Sequence, residues 1–195
     1  NYITISGGTP HAIFNGTQTL VSLLKKQTIP AKFENIAIND YPDLLYRGMM
    51  LDIARNFTKK ADLLKLINQL AAYKINVLHF HFSDDEAWRL EIPGLEELTA
   101  IGSRRGFTED ESQRLYPVYY GGWNPNDTTA TANGYYTRED FIEVLQYAAK
   151  RHITVIPEIE SPGHARAAIK AMEARFNRLK GEDMEKAREY LLSES

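Results

Sequence analysis

The chain has no cysteine, which removes at one stroke a disulfide framework, a thiolate metal site and a thiol nucleophile. It also lacks a surplus of either charge: 23 Lys and Arg stand against 26 Asp and Glu, a net charge of −3 without long runs of one sign. That balance argues against nucleic acid or an anionic membrane surface as partner, since each calls for a basic patch. No apolar stretch is long enough to span a bilayer, and no signal peptide stands at Asn1. The lack of an initial Met fits an excised or processed chain, which leaves room for a removed targeting signal. Absent cysteine fits a bacterial protein, exported or cytosolic, and leaves the compartment open.

What is present is a core-forming, punctuated chain. At 195 residues and 43% hydrophobic content it holds one domain, or a small domain and part of a larger one. Residues 2–5 read as a short strand, Phe14-Asn-Gly-Thr17 as a turn, and 18–26 as an amphipathic helix with Leu20, Leu23 and Leu24 on one face. Two strand-like pieces flank Pro30. Pro42 biases Tyr41 away from helix, and the domain boundary is expected there, with 1–40 and 41–195 as the two parts.

Beyond that point strands and helices alternate. Residues 47–53 form the first expected strand. Thr58 is the expected cap of a helix to about residue 73, with Leu63, Leu64, Ile67, Leu70 and Ala71 at helical spacing. The second strand is 75–82. A long connection, 83–136, follows, and connections of that length are usually functional. Thr137-Arg-Glu-Asp140 is a capping pattern for a helix over 141–151; a third strand is expected at 153–159, and a helix at 165–179. The charged tail reads as a solvated helix. Alternation of this kind implies parallel βαβ units, and the missing Gly-rich phosphate loop favours the start of a barrel over a nucleotide-binding sheet. A closed barrel needs about eight strands, so the expected fold class is α/β, the first three βα units of a partial (β/α)8 TIM barrel, preceded by the end of a small α+β domain.

The chemistry gathers at the strand ends. Leu78-His-Phe-His-Phe-Ser-Asp-Asp-Glu-Ala-Trp-Arg89 is an apolar strand running into acids, an aromatic ring and a guanidinium, which is how a barrel builds an active site. Leu51-Asp52-Ile-Ala-Arg55 and Ile156-Pro-Glu158-Ile-Glu160-Ser-Pro-Gly-His164 repeat the arrangement. His79 and His81 share a face, either as a metal pair or as hydrogen-bonded interior histidines; the second reading is preferred, and no metal is expected. Trp88 is either a core residue or a stacking platform for a sugar ring. Arg55 offers several directed donors to a polyhydroxylated ligand. Glu158 and Glu160 share a face, and the turn at Ser161-Pro-Gly163 delivers His164 to the same rim, where a His beside a carboxylate holds or orients a proton.

These residues resemble the family 20 glycoside hydrolases, the β-N-acetylhexosaminidases. The likeness rests on Tyr46-Arg-Gly-Met-Met-Leu-Asp-Ile-Ala-Arg55, on Asn76-Val-Leu-His-Phe-His-Phe-Ser-Asp-Asp-Glu-Ala-Trp-Arg89, on Gly134-Tyr-Tyr-Thr137 and on Pro157-Glu-Ile-Glu-Ser-Pro-Gly-His164; Phe14-Asn-Gly-Thr-Gln-Thr-Leu20 resembles the preceding small domain. The resemblance implies a retaining exo-hydrolase of terminal β-linked N-acetylglucosamine or N-acetylgalactosamine. The substrate's own 2-acetamido oxygen would be the nucleophile, forming an oxazolinium. It implies that Arg55, Trp88 and Glu160 bind the sugar, that Asp84 and His164 tune the general acid from behind, that no cofactor is used, and that the setting is periplasmic or extracellular. The family's Asp-Glu catalytic pair follows a His-x-Gly-Gly segment at the fourth strand, and no such segment occurs here. Asp85-Glu86 belongs to the second strand and is not that pair, and Glu160 stands where Asp is usual. The expected partner is therefore an N-acetylhexosamine-terminated oligosaccharide or glycoconjugate, acted on by the parent protein and not by this segment alone. An open barrel edge at the third strand is expected to favour self-association. Two other readings remain: a non-catalytic sugar-binding module, and a metal-dependent amidohydrolase.

Overall fold

The computed structural model describes residues 2–25, 27, 33, 35–116 and 129–191. In chain order its elements are α1 (Pro10–Leu24), β1 (Gly48–Asp52), α2 (Lys60–Ala72), β2 (Val77–His81), α3 (Glu97–Ala100), α4 (Arg138–Ala149), β3 (Thr154–Glu158), α5 (Arg166–Leu179) and α6 (Met184–Arg188). The strands form one parallel sheet in the order β1-β2-β3. Each strand is followed by a helix, as the alternation of periods requires.

Register decides which side chains meet. Asp52 pairs with His81 and His81 with Glu158, one row of polar groups across the three C-terminal strand ends. One step back, on the same face, Met50, His79 and Ile156 form a second row. The opposite face is the core: Leu78, Phe80, Phe82, Ile53 and Ile153 are buried against Leu63, Ile67 and Leu70 of α2 and Val144 and Ala148 of α4. Met50 and Ile156 keep 48% and 41% of their surface exposed. A parallel sheet is normally covered on both faces, so this side is built to be covered too. A smaller core packs Trp88, Leu98 and Leu115 against Ala167 and Ala171 of α5.

Several expectations are corrected by the structure. Phe14 to Thr17 is not a turn but lies within α1. Thr9 caps this helix, its hydroxyl accepting from the Ala12 N–H at 3.1 Å, and Pro10 begins it. Gly16 serves close approach rather than a bend, because a Cβ there would stand 2.7 Å from Ile5 Cγ2. Residues 2–5 form no strand; they have no ladder partner among the described residues. Pro30 lies outside the described residues. Lys59, not Thr58, is the N-cap of α2: its carbonyl is the one that accepts from the Asp62 and Leu63 N–H groups. The tail is not a freely solvated helix: α6 buries Ala187 and brings Tyr190 under the Arg175 guanidinium at 4.6 Å. α1 meets the body at Phe14 and at His11, whose ring stacks on His152 at 5.1 Å.

The capping pattern at Thr137 is present: Thr137 Oγ1 accepts from the Asp140 N–H, and Asp140 Oδ2 from the Thr137 N–H. The described parts of the long connection after β2 gather around one cation. Arg89 is fully buried and donates to five main-chain carbonyls, those of Ile53, Ala54, Ser103, Ala132 and Gly134, at 2.9–3.0 Å. Its guanidinium thus ties the segment after β1 to both ends of the loop. Replacing it by Met leaves five acceptors without that donor, and unsatisfied buried polar groups cost about 1–3 kcal/mol each. Arg89→Met is expected to lower unfolding stability by roughly 3 kcal/mol or more, read as the shift of the urea midpoint. An unshifted midpoint would show that the loop is held by other contacts.

Candidate active site

The C-terminal ends of the three strands deliver one cluster. Asp84, just past β2, is only 2% exposed, and a carboxylate removed from water needs partners. It has three. Oδ2 meets His81 Nε2 at 2.9 Å and an Arg55 terminal nitrogen at 2.6 Å, and Oδ1 meets His164 Nδ1 at 3.0 Å. Arg55 arrives from the end of β1 and His164 from the turn after β3. His164 has a left-handed backbone, φ 51°, a conformation uncommon outside glycine though one that His tolerates better than most, and this sets its ring against Asp84. With 59% of its side chain exposed, His164 is the most open member of the cluster.

Arg55 is held by three carboxylates. Its terminal nitrogens meet Asp52 Oδ2 at 2.8 Å and Asp84 Oδ2 at 2.6 Å, and its Nε–H donates to Glu86 Oε2 at 2.9 Å. Asp52 Oδ1 also accepts from the N–H groups of Ala54 and Arg55, so it forms the turn that aims the side chain. Partial burial works against the Arg55 charge, but Asp52, Asp84 and Glu86 outweigh it and hold its pKa above the ordinary value.

Behind this layer Glu158 Oε2 lies 2.8 Å from His79 Nε2 and 2.9 Å from His81 Nδ1. Both contacts lie off the line of a directed hydrogen bond, since Glu158 Oε2 and His81 Nδ1 have no such partner. His81 is thus an interior imidazole paired with a carboxylate, whereas His79, with 37% of its side chain exposed, meets the same carboxylate from the open face of the sheet. Glu160 is anchored by its N–H, which donates to Ser83 Oγ at 3.0 Å. His81, Glu158 and Glu160 bring possible ligand atoms within 4.8 Å of one another, as do Asp84, Asp85 and His164. A cation at either place would compete with the acid–imidazole contacts just described.

Of the residues singled out in the sequence, Arg55, Asp84 and His164 are brought together, with Glu160 beside Glu158 and His81. Trp88 is placed elsewhere. It is 7% exposed in the smaller core, and its indole N–H donates to the Leu90 carbonyl; this is the packing position, and the ring offers no open face for a sugar. Asp52 and Glu86 join the cluster as partners of Arg55 that the sequence reading does not name. The Asp-x-x-Arg spacing of Asp52 and Arg55 was a usable local signal, whereas the contact with Glu86 spans 31 positions and had none.

A parallel α/β unit with acids, imidazoles and a guanidinium on the C-terminal strand ends is the arrangement of a barrel enzyme. Comparison with known proteins carries this to a family. Residues 44–193 match the model of the glycosyl hydrolase family 20 catalytic domain, and the chain belongs to that family. It is 45% identical over 192 residues to β-hexosaminidase B of Pseudoalteromonas piscicida, covering 96% of this chain and 24% of that one. To the N,N'-diacetylchitobiase of Vibrio harveyi it is 45% identical, over 92% of this chain and 20% of the relative. Among solved structures it resembles the family 20 exo-β-N-acetylglucosaminidase of Vibrio harveyi in complex with N-acetylglucosamine. There the TM-score is 0.72 and the identity 40%, over 86% of this chain and 25% of that one. The chain thus spans about a quarter of the length of these relatives.

The electrostatics of the cluster give a signed pH dependence. Burial depresses the His81 pKa, but Glu158 and Asp84 outweigh it and hold it above its ordinary 6.5. Its folded value is raised, so the stability it contributes is full below 6.5 and is lost as pH rises through the raised value. Burial raises the Asp84 pKa, and the Asp85 N–H, His81, Arg55 and His164 outweigh it and bring the pKa below 3.8. Its contribution is therefore present above 3.8 and lost on acidification below it. Comparing urea midpoints of the wild type and His81→Gln, the gap is expected to be widest between pH 3.8 and 6.5 and to narrow at higher pH, and again below 3.8 as Asp84 is protonated. A gap that widens as pH rises above 6.5 would contradict this pairing.

Proposed function

We propose that this chain is the first part, three βα units, of the (β/α)8 catalytic barrel of a retaining β-N-acetylhexosaminidase. Residues 1–40 are then the end of a preceding small α+β domain. The substrate is a glycan or glycoconjugate ending in β-linked N-acetylglucosamine or N-acetylgalactosamine. The observation that carries the reading is the Arg55–Asp84–His164 constellation, at the strand ends of a chain that belongs to family 20. The names of its relatives, β-hexosaminidase and diacetylchitobiase, support the substrate class.

In this account Arg55 donates hydrogen bonds to ring hydroxyls of the terminal sugar, and its carboxylates keep it aimed before the sugar arrives. Glu160 accepts from a sugar hydroxyl at the same rim. Asp84 holds His164 by Nδ1, so the exposed side of the imidazole faces the general acid and keeps it protonated until the glycosidic oxygen departs. The acetamido group of the substrate attacks its own anomeric carbon. The acid and the carboxylate that steadies the acetamide come from the fourth strand, outside these 195 residues. The segment alone is therefore inactive. Its uncovered sheet face and the β3 edge receive the remaining strands, or a second copy in their absence.

Hydrolysis of a chromogenic β-N-acetylglucosaminide tests this. Turnover is expected from the complete gene product and none above background from residues 1–195. Inactivity of both would remove the enzyme reading and favour a sugar-binding module, while activity of the segment would refute the placement of the catalytic pair.

A further inference from the structure

We propose that Glu86 is a positioning residue for sugar binding. Its carboxylate fixes the plane of the Arg55 guanidinium and, with Asp52 and Asp84, offsets its charge, so that the site selects neutral hydroxyls over anionic substituents. The inference rests on the reading of Arg55 as a contact of the terminal sugar.

A guanidinium carries five N–H donors in one plane. Asp52 and Asp84 take one donor on each terminal nitrogen, and both acids are fixed independently. Asp52 is held by the N–H groups of Ala54 and Arg55, and Asp84 by His81 and His164. The third edge of the fork, Nε–H, is held by Glu86 alone at 2.9 Å. Without it the plane is free to tilt about the two terminal contacts. Of the two donors left on the terminal nitrogens, the one on the Asp52-bound nitrogen stands against His81 Nε2 at 3.3 Å; the other then loses its fixed direction, and a directed hydrogen bond weakens steeply with angle. The Arg55 side chain is 35% exposed, so it reaches solvent from this clamp.

The clamp also sets the sign of the local field. Three formal negative charges surround one positive charge within 2.9 Å, and Asp85, Glu158 and Glu160 stand near by. His81 and His164 are the facing imidazoles. An arginine that anchors a sulfate or carboxylate keeps its charge available for a bidentate pair. Arg55 has spent that charge on its own carboxylates and retains hydrogen-bond donors, which suit a neutral polyol.

The test uses the complete protein with Glu86→Gln, Glu86→Ala and Arg55→Met, measuring kcat and KM on a neutral chromogenic β-N-acetylglucosaminide and on its ring-sulfated counterpart. Glu86→Ala is expected to raise KM for the neutral substrate about tenfold, with kcat changed by less than about threefold. The amide oxygen of Glu86→Gln still accepts from Nε–H, so that variant keeps KM within about threefold of wild type. Having lost a negative charge, it gains about fivefold in kcat/KM on the sulfated relative to the neutral substrate. Arg55→Met raises KM at least as far as Glu86→Ala. If Arg55→Met raises KM while Glu86→Ala leaves it unchanged, the positioning role is overturned and the sugar-contact reading stands. If Arg55→Met itself leaves KM unchanged, that reading falls. A Glu86→Gln variant without relative gain on the sulfated substrate overturns the charge selection, and this variant preserves size and shape should Glu86→Ala fail to fold.

Discussion

Asp84 is the point on which the site turns. Its carboxylate sits almost wholly out of water at the end of β2, where an unpaired charge would cost several kcal/mol. The cost is met by one group from each strand end: Arg55 after β1, His81 in β2 and His164 after β3. The register Asp52–His81–Glu158 brings these ends level, so the parallel sheet and the charged cluster depend on each other. A one-residue slip in any strand would turn its polar end toward the apolar core.

A second buried charge does for the loop what Asp84 does for the strand ends. Arg89 gathers carbonyls from the segment after β1 and from both sides of the long connection. That leaves Trp88 and Leu90 on either side of it in apolar surroundings. Sequence order alone puts Trp88 among acids and beside an arginine, which is why it reads as a sugar platform. Three dimensions put the guanidinium and the indole both inside, each with its own hydrogen bonds, and leave Arg55 as the guanidinium that reaches the solvent side.

Much of this was legible in the sequence where one period dominates. The strands around Leu78–His81 and Thr154–Glu158 and the helix behind the Thr137 capping box follow from short apolar runs of β-type residues and from local cap chemistry. The Asn15-Gly16 pair was misleading, because a glycine admitted for the contact with Ile5 has the same composition as a turn. Thr58 is not the cap because the helical hydrogen bonds begin one residue later, at the Lys59 carbonyl. In the site, Asp84 and His164 were legible through family likeness. The clamp on Arg55 was not, since Glu86 meets it only once two strands lie side by side.

In the proposed function these strand ends hold a terminal N-acetylhexosamine through Arg55 while Asp84 keeps its three side-chain partners. A crystal structure of the complete protein with N-acetylglucosamine tests it directly. The account predicts a ring hydroxyl within hydrogen-bond distance of the Arg55 guanidinium, with the Asp84–His164 contact intact. A sugar bound away from Arg55, or a complex in which Asp84 releases His164, would contradict it.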